Sequence, residues 1–311
     1  MQTVVVGIPA FNAELYIAES IESALSQGPA VRVLVSDNAS TDETARVVQD
    51  FKSDRVDLHQ QPRNLGPHEN FNWLLANSDC EVLSLLCADD VMLPGHLQRQ
   101  VEVLEGDRRV RLVGCHMMQT SHDLTPQQLI RTAQGRWKGP LLTTLGVNLA
   151  FNFFGGPSNF VFRRRDVADL RVDTQWAWIS DFDFASRLVS DGWYVNPGGI
   201  GYLYRRHPGA DSEHLARADA FSNRTEWARL FVGSDGRFAT TLRQLRAEVR
   251  DPEVANQLSS VWSNMSTPKR LGSHVPPILH AVRRKCAKCF VGPRLENTIE
   301  ASRRLAWVRG Q

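Results

Sequence analysis

The amino-acid sequence predicts an α/β fold, in which helices flank a mixed but mainly parallel sheet and a helical region follows at the C-terminal side. Three observations support this class. The chain of 311 residues is long enough for one large α/β unit and a smaller appendage. Apolar runs rich in valine alternate with helical patterns near the start, as expected of βαβ units. From about residue 213 onward, the pattern is mostly helical.

The elements of the first half follow one another regularly. Short apolar runs typical of strands lie at residues 4–8, 31–35, 56–58 and 82–86, and helical patterns lie at 15–25, 45–51 and 69–75. After residue 150 the pattern is looser, which predicts an antiparallel part of the sheet, and a further helix is expected from about residue 180 to 189. We therefore predict a domain over 1–212, with a nucleotide-binding half at 1–110 and an acceptor half at 111–212, followed by helices over 213–311.

Composition excludes several classes of protein. Apolar residues make up 42% and charged residues 23%, which is ordinary for a folded enzyme and far from disorder. A net charge of +2 argues against a nucleic-acid partner. The apolar runs fall short of the roughly 20 residues that cross a membrane, and the first residues do not resemble a signal peptide. With an odd number of cysteines, five, reduced thiols in the cytoplasm are expected.

Basic residues are concentrated in the last part of the chain. Residues 281–311 contain eight lysines and arginines against two glutamates. The segment 278–290 combines apolar and basic side chains, which predicts a peripheral contact with an anionic inner membrane surface, although a solvated helix face is the alternative. The same segment contains Cys286 and Cys289, a single CxxC pair that could be half of a zinc site but is more often inert.

Polar residues follow three of the predicted strands, where open α/β sheets bind their ligands. The segments are 9–12, 36–42 and 88–90. Within the last of them, Asp89 and Asp90 follow a buried apolar run, where two uncompensated charges would be costly. A divalent cation resolves this, and oxygen ligands suit Mg²⁺ or Mn²⁺. The alternative is that both carboxylates face solvent as the cap of the next helix.

These segments, taken together, resemble the family 2 glycosyltransferases of GT-A fold. The similar stretches occur in the family's order between residues 3 and about 212: Gly7–Asn12, Val35–Asp42, Asn64–Gly66, Leu86–Asp90 and Ser180–Leu188. The resemblance implies a GT-A type, Rossmann-like domain that acts as an inverting, metal-dependent, hexosyltransferase-like enzyme. It implies that a sugar passes from a nucleoside-diphosphate donor to a hydroxyl of a glycan or lipid-linked acceptor.

The resemblance also implies roles for particular residues. Those expected to bind the nucleotide sugar are Pro9, Ala10, Asn12, Glu14, Asp37, Asn64, Asp89 and Asp90. In this set Asp37 would accept a hydrogen bond from the base and Asp90 would bind Mn²⁺ or Mg²⁺, with His207 as a further metal ligand. By charge and donor type, the candidates for phosphate or acceptor contacts are Ser158, Arg205 and Ser212. A helix cap is an equally good explanation of the polar run Ser40–Asp42.

Asp181 falls where the family's Glu-Asp motif places the catalytic base, with Ser180 in place of the glutamate. Asp183 is a second candidate, and an acidic helix N-terminus is the alternative to catalysis for either residue. The motif of processive polysaccharide synthases is absent, which favours transfer of single sugars. We expect a role in bacterial surface polysaccharide or lipopolysaccharide biosynthesis. Because Ser180 departs from the motif, a catalytically silent nucleotide-sugar sensor or assembly subunit remains the alternative.

Overall fold

The computed structural model describes residues 3–149, 151–210, 225–227 and 229–230. By contacts the chain divides into two compact units, Met1–Gly139 with Asn152–Asn223, and Pro140–Phe151 with Arg224–Gln311. The predicted boundary at 212, Ser212, the basic segment 278–290 and the CxxC pair lie outside the described residues. Among the helices that are described, none has the length and apolarity needed to cross a membrane.

The described residues form twelve strands and six α-helices. The strands are β1 (Val4–Ala10), β2 (Val31–Asp37), β3 (Val56–Gln60), β4 (Val82–Leu85), β5 (Val91–Met92), β6 (Val110–Val113), β7 (His116–Thr120), β8 (Pro126–Ile130), β9 (Gly135–Lys138), β10 (Val161–Arg163), β11 (Trp193–Asn196) and β12 (Ile200–Arg205). The helices are α1 (Ile17–Leu25), α2 (Thr44–Gln49), α3 (Pro67–Asn77), α4 (His96–Gly106), α5 (Gly139–Leu149) and α6 (Ser180–Leu188).

An eight-stranded sheet in the order β3-β2-β1-β4-β10-β6-β11-β9 forms the centre of the first unit. Its first four strands are parallel, with Val6 opposite Val33 and Ser84. Val6, Ile8 and Val33 have no exposed surface, because helices cover this part of the sheet on both faces. Burial of each such side chain contributes about 1.5–3 kcal/mol. The predicted parallel α/β arrangement is confirmed, and the carboxyl ends of β1, β2 and β4 lie at one edge.

The other four strands are mixed in direction. Of these, β10 and β11 follow residue 150, as expected, but β6 and β9 precede it. β10 is antiparallel to both β4 and β6, whereas β11 is parallel to β6 and antiparallel to β9. A second sheet has the order β5-β12-β7-β8. In it Leu203 of β12 pairs with Val91 of β5, directly after the Asp89–Asp90 segment. This pairing brings the end of β12 to the carboxyl end of β4.

Candidate active site

Asp90 lies in a short segment between β4 and β5, with only 2% of its surface exposed. The Ser158 hydroxyl donates to its Oδ2 at 2.5 Å, and the Arg205 backbone N–H donates to its Oδ1 at 3.0 Å. Burial, and then the charge of Asp89, raise the pKa of Asp90 well above its usual range, against the two hydrogen bonds. A bound cation would reverse this effect, because it stabilises the ionised carboxylate.

Asp89 is paired with the histidine that the sequence suggests as a metal ligand. The Nε2 atom of His207 lies 3.0 Å from Asp89 Oδ2. The imidazole also packs against the ring of Tyr16, with a centroid distance of 4.6 Å. His207 therefore belongs to the Asp89–Asp90 site, but the contact described here joins it to a carboxylate. Direct metal ligation by His207 stays a prediction.

Cys87 completes a cluster that could hold a metal ion. Its Sγ and one carboxylate oxygen from each of Asp89 and Asp90 all lie within 4.8 Å of one another. The two carboxylates are hard oxygen ligands of the kind that Mg²⁺ and Mn²⁺ prefer, and the thiol is softer. A buried Asp90 beside a partly exposed Asp89 thus fits a divalent cation, which these two carboxylates would hold. The sequence interpretation missed Cys87, although its place two residues before Asp89 could have suggested it.

Arg205 fixes the Asp89–Asp90 segment through several buried contacts. Its guanidinium donates to the backbone oxygen of Asp89 at 2.8 Å and to that of His122 at 2.5 Å, and it forms an ion pair with Glu19. It also stacks over Tyr16, 4.6 Å from the ring centroid. Only 3% of the side chain is exposed. A phosphate contact by Arg205 stays a prediction, and it would require this guanidinium to give up protein partners.

Ser20 of α1 fixes the same segment from the opposite side. Its buried hydroxyl lies 2.8 Å from the backbone oxygen of Ala88 and 2.7 Å from that of Asp90. The Ser158 hydroxyl accepts from the backbone N–H of Cys87 at 2.9 Å while it donates to Asp90. Ser158 was a candidate for phosphate or acceptor contacts. With 2% exposure, it is placed as a buried partner of the metal-site segment.

Asp37, the last residue of β2, is the second buried carboxylate at this edge of the sheet, with 1% exposure. Its Oδ1 accepts from the backbone N–H of Ser40 at 3.2 Å and from the Ser40 hydroxyl. Among the described residues, nothing donates a hydrogen bond to its Oδ2. A buried carboxylate oxygen without a donor is costly, and the N–H group of a ligand can satisfy it.

The loop after β1 approaches Asp37 through Ser40. The backbone N–H of Asn12 donates to the Ser40 hydroxyl at 2.9 Å. Pro9 is partly buried and Ala10 is buried, so they offer backbone and contact surface rather than polar side chains. Phe11, between them and Asn12, has 47% of its surface exposed. An exposed aromatic ring beside the carboxylate edge can stack on a planar base, and the sequence interpretation missed it.

Asn12 and Glu14 join the loops that follow β1 and β2. The backbone N–H of Thr41 donates to Asn12 Oδ1 at 2.9 Å, and that of Glu43 donates to Glu14 Oε2 at 2.9 Å. The backbone N–H of Glu14 in turn donates to Asp42 at 3.1 Å. Both side chains lie at the predicted edge. Their partners lie in the loop that follows β2, so they shape the edge on which Asp37 lies.

Asn64 supports the turn that leads into α3. Its Oδ1 accepts from Asn38 Nδ2 at 3.0 Å and from the backbone N–H of Gly66 at 2.8 Å. Asn38 also accepts from the backbone N–H of Leu65 at 2.8 Å. Gly66 has a φ of +83°, which glycine adopts without strain before Pro67 begins the helix. Asn64 thus contacts Asn38, the residue that directly follows Asp37.

Asp181 lies in the first turn of α6 and is partly buried. The backbone N–H of Phe182 donates to its Oδ1 at 2.7 Å, and Asn152 Nδ2 donates to its Oδ2 at 3.0 Å. Burial raises the pKa of Asp181 to about 7, although both hydrogen bonds favour the ionised form. A carboxylate with this pKa can take up a proton near neutral pH.

Asp183, the second candidate base, has a different environment. It pairs with Arg187 one turn along α6, at 2.7 Å from the guanidinium, and its side chain is 13% exposed. An i,i+4 ion pair of this kind is a common stabilising contact on a helix. The two acids are thus distinguished by their partners, since Asp181 has no arginine among the groups that set its pKa.

A single loop contacts both the predicted base, Asp181, and the predicted metal ligand, Asp90. It runs from Asn152, which donates to Asp181, to Ser158, which donates to Asp90. Its turn is made at Gly155, whose φ is +90°. A Cβ atom at Gly155 would lie 2.8 Å from Asn159 Nδ2, so only glycine fits without displacement. The loop therefore links the candidate base to the candidate metal site.

The fold is that of the glycosyltransferases of GT-A fold. The family model described as "Glycosyl transferase family 2" matches residues 5–171. The chain belongs to this family. Asp181 lies ten residues beyond the matched region, so the match covers Asp37, Asp89 and Asp90 but not the candidate base.

Curated relatives are similar over part of the chain. A putative glycosyltransferase of Bacillus subtilis, EpsE, is 34% identical over 120 residues, which cover 37% of this chain and 42% of the relative. The succinoglycan biosynthesis protein ExoU of Rhizobium meliloti is 36% identical over 92 residues, covering 29% and 27%. The similarity therefore spans less than half the length of either relative.

Solved structures show the same fold at low identity. The structure of S. aureus TarS 1–349 in complex with UDP has a TM-score of 0.55 and 18% identity, covering 99% of this chain and 92% of that one. A mannosyltransferase from Pyrobaculum calidifontis, PcManGT, in complex with GDP-Man and Mn²⁺ has a TM-score of 0.55 and 16% identity, covering 92% and 87%. These likenesses establish the GT-A fold.

Proposed function

We propose that this family 2 glycosyltransferase is an inverting, metal-dependent enzyme. It transfers a single sugar from a nucleoside-diphosphate sugar to a hydroxyl of a glycan or lipid-linked acceptor. The observation that carries the proposal is Asp181, a partly buried carboxylate with a pKa of about 7. A base that can accept a proton near neutral pH is what a catalytically silent nucleotide-sugar sensor would lack.

The donor nucleotide would bind at the carboxyl ends of β1 and β2. The free Oδ2 of Asp37 would accept an N–H of the base, and the exposed ring of Phe11 would stack on it. The structures with bound UDP and GDP-Man are of proteins with this fold, which supports a nucleoside diphosphate as the ligand class.

The diphosphate would lie beside Asp89 and Asp90, which would hold Mn²⁺ or Mg²⁺. When bound, this ion would neutralise charge on the diphosphate leaving group. The environment of Asp90 supports this assignment, since burial and the neighbouring Asp89 raise its pKa and a bound cation would keep it ionised. The arrangement also accounts for Ser158 and Arg205, whose hydrogen bonds fix Asp90 in place.

Transfer would proceed by direct displacement. Asp181 takes the proton of the acceptor hydroxyl, and the hydroxyl oxygen forms a bond to the anomeric carbon of the sugar. At the same time the bond from that carbon to the diphosphate breaks, and the nucleoside diphosphate leaves from the opposite face with inversion. Asp181 is suited to this step because its first oxygen is held by Phe182 and its second by Asn152.

The biological setting is proposed from the relatives. ExoU and ExoO of Rhizobium meliloti are named as succinoglycan biosynthesis proteins, which supports a role in bacterial surface polysaccharide biosynthesis. Lipopolysaccharide is a second product class of the same kind. The basic segment 278–290 would keep the enzyme at the anionic inner face of the membrane, where lipid-linked acceptors are found.

Two neighbouring aspartates provide a matched test of this function. Release of nucleoside diphosphate with acceptor present should fall by about 10³-fold or more in Asp181→Asn, because general-base catalysis contributes about 10²–10⁴-fold. Asp183→Asn makes the same chemical change two residues away, and turnover should stay within a few-fold of wild type. In both variants nucleotides with Mn²⁺ should still raise the melting temperature. Unchanged turnover in Asp181→Asn would refute the base assignment, and absence of any nucleotide-induced stabilisation in wild type would refute donor binding.

A further inference from the structure

The side chain of Asn152 is fixed by four hydrogen bonds. Its Oδ1 accepts from the backbone N–H of Phe154 at 2.9 Å and from that of Gly155 at 3.2 Å. Its Nδ2 donates to the backbone oxygen of Gly155 at 3.0 Å and to Asp181 Oδ2 at 3.0 Å. An amide nitrogen has two hydrogens, so both are used, one by the loop and one by Asp181.

This set of partners leaves the amide one orientation. A rotation by 180° would place Oδ1 against the Gly155 oxygen and the Asp181 carboxylate, and Nδ2 against two N–H donors. Four hydrogen bonds would become four repulsive contacts. The donor that faces Asp181 is therefore held in place before any substrate binds, which is the condition for a preorganised site.

We propose that Asn152 is a positioning residue for the reaction, which orients the Asp181 carboxylate toward the acceptor hydroxyl through its Nδ2–H. The proposal rests on the proposed function, because it assigns Asp181 as the base. Asn152 does not touch the reacting atoms in this scheme. Its contribution is to hold Oδ2 of Asp181 while the Phe182 N–H holds Oδ1, so that the carboxyl group does not rotate.

The hydrogen bond from Asn152 also lowers the proton affinity of the Asp181 carboxylate. Burial raises the pKa of Asp181 to about 7, and the Asn152 amide lowers it against that effect. The charged groups nearest along α6 are Asp183 and Arg187, and they form an ion pair with each other. Loss of the Asn152 donor therefore moves the pKa of Asp181 above 7, and the carboxylate is protonated over more of the neutral range.

Asn152→Asp is the sharpest test because the two side chains have the same shape. Aspartate keeps an oxygen for the N–H groups of Phe154 and Gly155, but it removes the donor to Asp181 and adds a like charge. The acid limb of the kcat/KM profile should move up by about one pH unit or more, since a hydrogen bond to an ionised group is worth about that much. Asn152→Ala should give a shift in the same direction, without the added charge.

Asn159 provides the control, because it is an asparagine directly after the same loop and has a different partner. Its Nδ2 donates to the backbone oxygen of Phe154 at 2.6 Å. Asn159→Ala should lower stability and turnover but leave the pH midpoint within a few tenths of a unit of wild type. If Asn152→Asp and Asn159→Ala move the midpoint equally, or if neither moves it, the positioning role is refuted.

Titration of Asp181 by ¹³C NMR of labelled aspartate carboxyls separates this inference from the proposed function. The resonance is assigned with Asp181→Asn, and its midpoint is followed in wild type and in Asn152→Asp. An upward shift of the titration midpoint, together with the same shift of the activity profile, supports both the proposed function and the role of Asn152. A shift of the titration midpoint without a shift of the activity profile supports the effect of Asn152 on Asp181 but refutes Asp181 as the base. An unshifted titration midpoint refutes the role of Asn152, whatever the activity profile shows.

Discussion

Asp90 and Asp181 are both buried to some degree and both have a raised pKa, yet their surroundings differ. Asp90 lies beside a second carboxylate, Asp89, and is 2% exposed. Asp181 has no acid among the groups that act on it, and burial alone raises its pKa to about 7. A bound cation would stabilise the ionised form of Asp90, whereas uptake of a proton would neutralise Asp181. The two carboxylates therefore suit two different tasks.

The largest expected effect tests the cation site. Asp90→Asn should reduce turnover by about 10³-fold or more and should also abolish stabilisation by nucleoside diphosphates that depends on Mn²⁺. Asp181→Asn, by contrast, should keep that stabilisation. Turnover and thermal shift measured in parallel check the contrast, with Asp57→Asn, an exposed residue paired with Arg32, as the control. Normal binding of nucleotide and Mn²⁺ by Asp90→Asn would contradict the assignment of Asp90 to the cation site.

The pH profile tests the proton site. A base must be ionised to act, so kcat/KM should fall about tenfold per unit as the pH drops below the Asp181 pKa of about 7. At pH 5 this gives a loss of about 100-fold relative to the plateau. The measurement uses saturating Mn²⁺ at each pH and a melting curve to show that the protein is folded. A plateau that extends down to pH 5 would mean that Asp181 is not the base.

Arg205 tests how the cation site is held. Arg205→Lys keeps the charge but loses the planar fork that reaches Asp89, His122 and Glu19 together. The free energy of unfolding should fall by about 2–3 kcal/mol, because breaking a buried charged contact is costly. Nucleotide binding with Mn²⁺ should weaken in the same variant, and denaturant unfolding and calorimetry measure the two effects. A fall in stability with unchanged binding would confine Arg205 to a structural role.

Gly155 is the corresponding test of the loop that joins the two sites. Gly155→Ala introduces a side chain at a φ of +90° and a Cβ only 2.8 Å from Asn159 Nδ2. Stability should fall by about 1–2 kcal/mol from the backbone strain. Asn152 and Ser158 lie on either side of this turn, so kcat should fall together with the stability. Gly156→Ala is the control, because Gly156 is the next residue of the same loop, has nothing within 4 Å of its Cβ and has a φ of −85°.

The sequence was most informative where local patterns repeat. Valine-rich runs spaced by helical patterns are sufficient to predict β1 to β4, because a parallel sheet buried on both faces needs continuous apolar strands. Strand-end placement then brings Asp37, Asp89 and Asp90 to one edge. The later strands are short, and β10 has only Val161–Arg163. Their order depends on partners far along the chain, which no local pattern specifies.

Hydrogen-bond and ion-pair partners likewise decide whether Asp181 or Asp183 is the better candidate base. In the sequence, Asp181 and Asp183 are two acids at the start of a helix, and only the resemblance to the family motif favours Asp181. Arg187 lies one turn from Asp183, but Asn152 reaches Asp181 from 29 residues away. The same holds for Arg205, whose charge suggests a phosphate contact but whose guanidinium is used by Glu19 and by backbone oxygens.

Composition, strand periodicity and motif order by themselves determined the α/β class, the family resemblance and the acidic residues at the sheet edge, because these depend on residue type and local spacing. Only the tertiary structure decided the environment of each acid. It buried Asp90 beside Asp89, left one Asp37 oxygen without a donor, and placed Asn152 against Asp181. The physical reason is that burial and hydrogen bonds set the pKa of a carboxyl group, and both arise from contacts between distant segments.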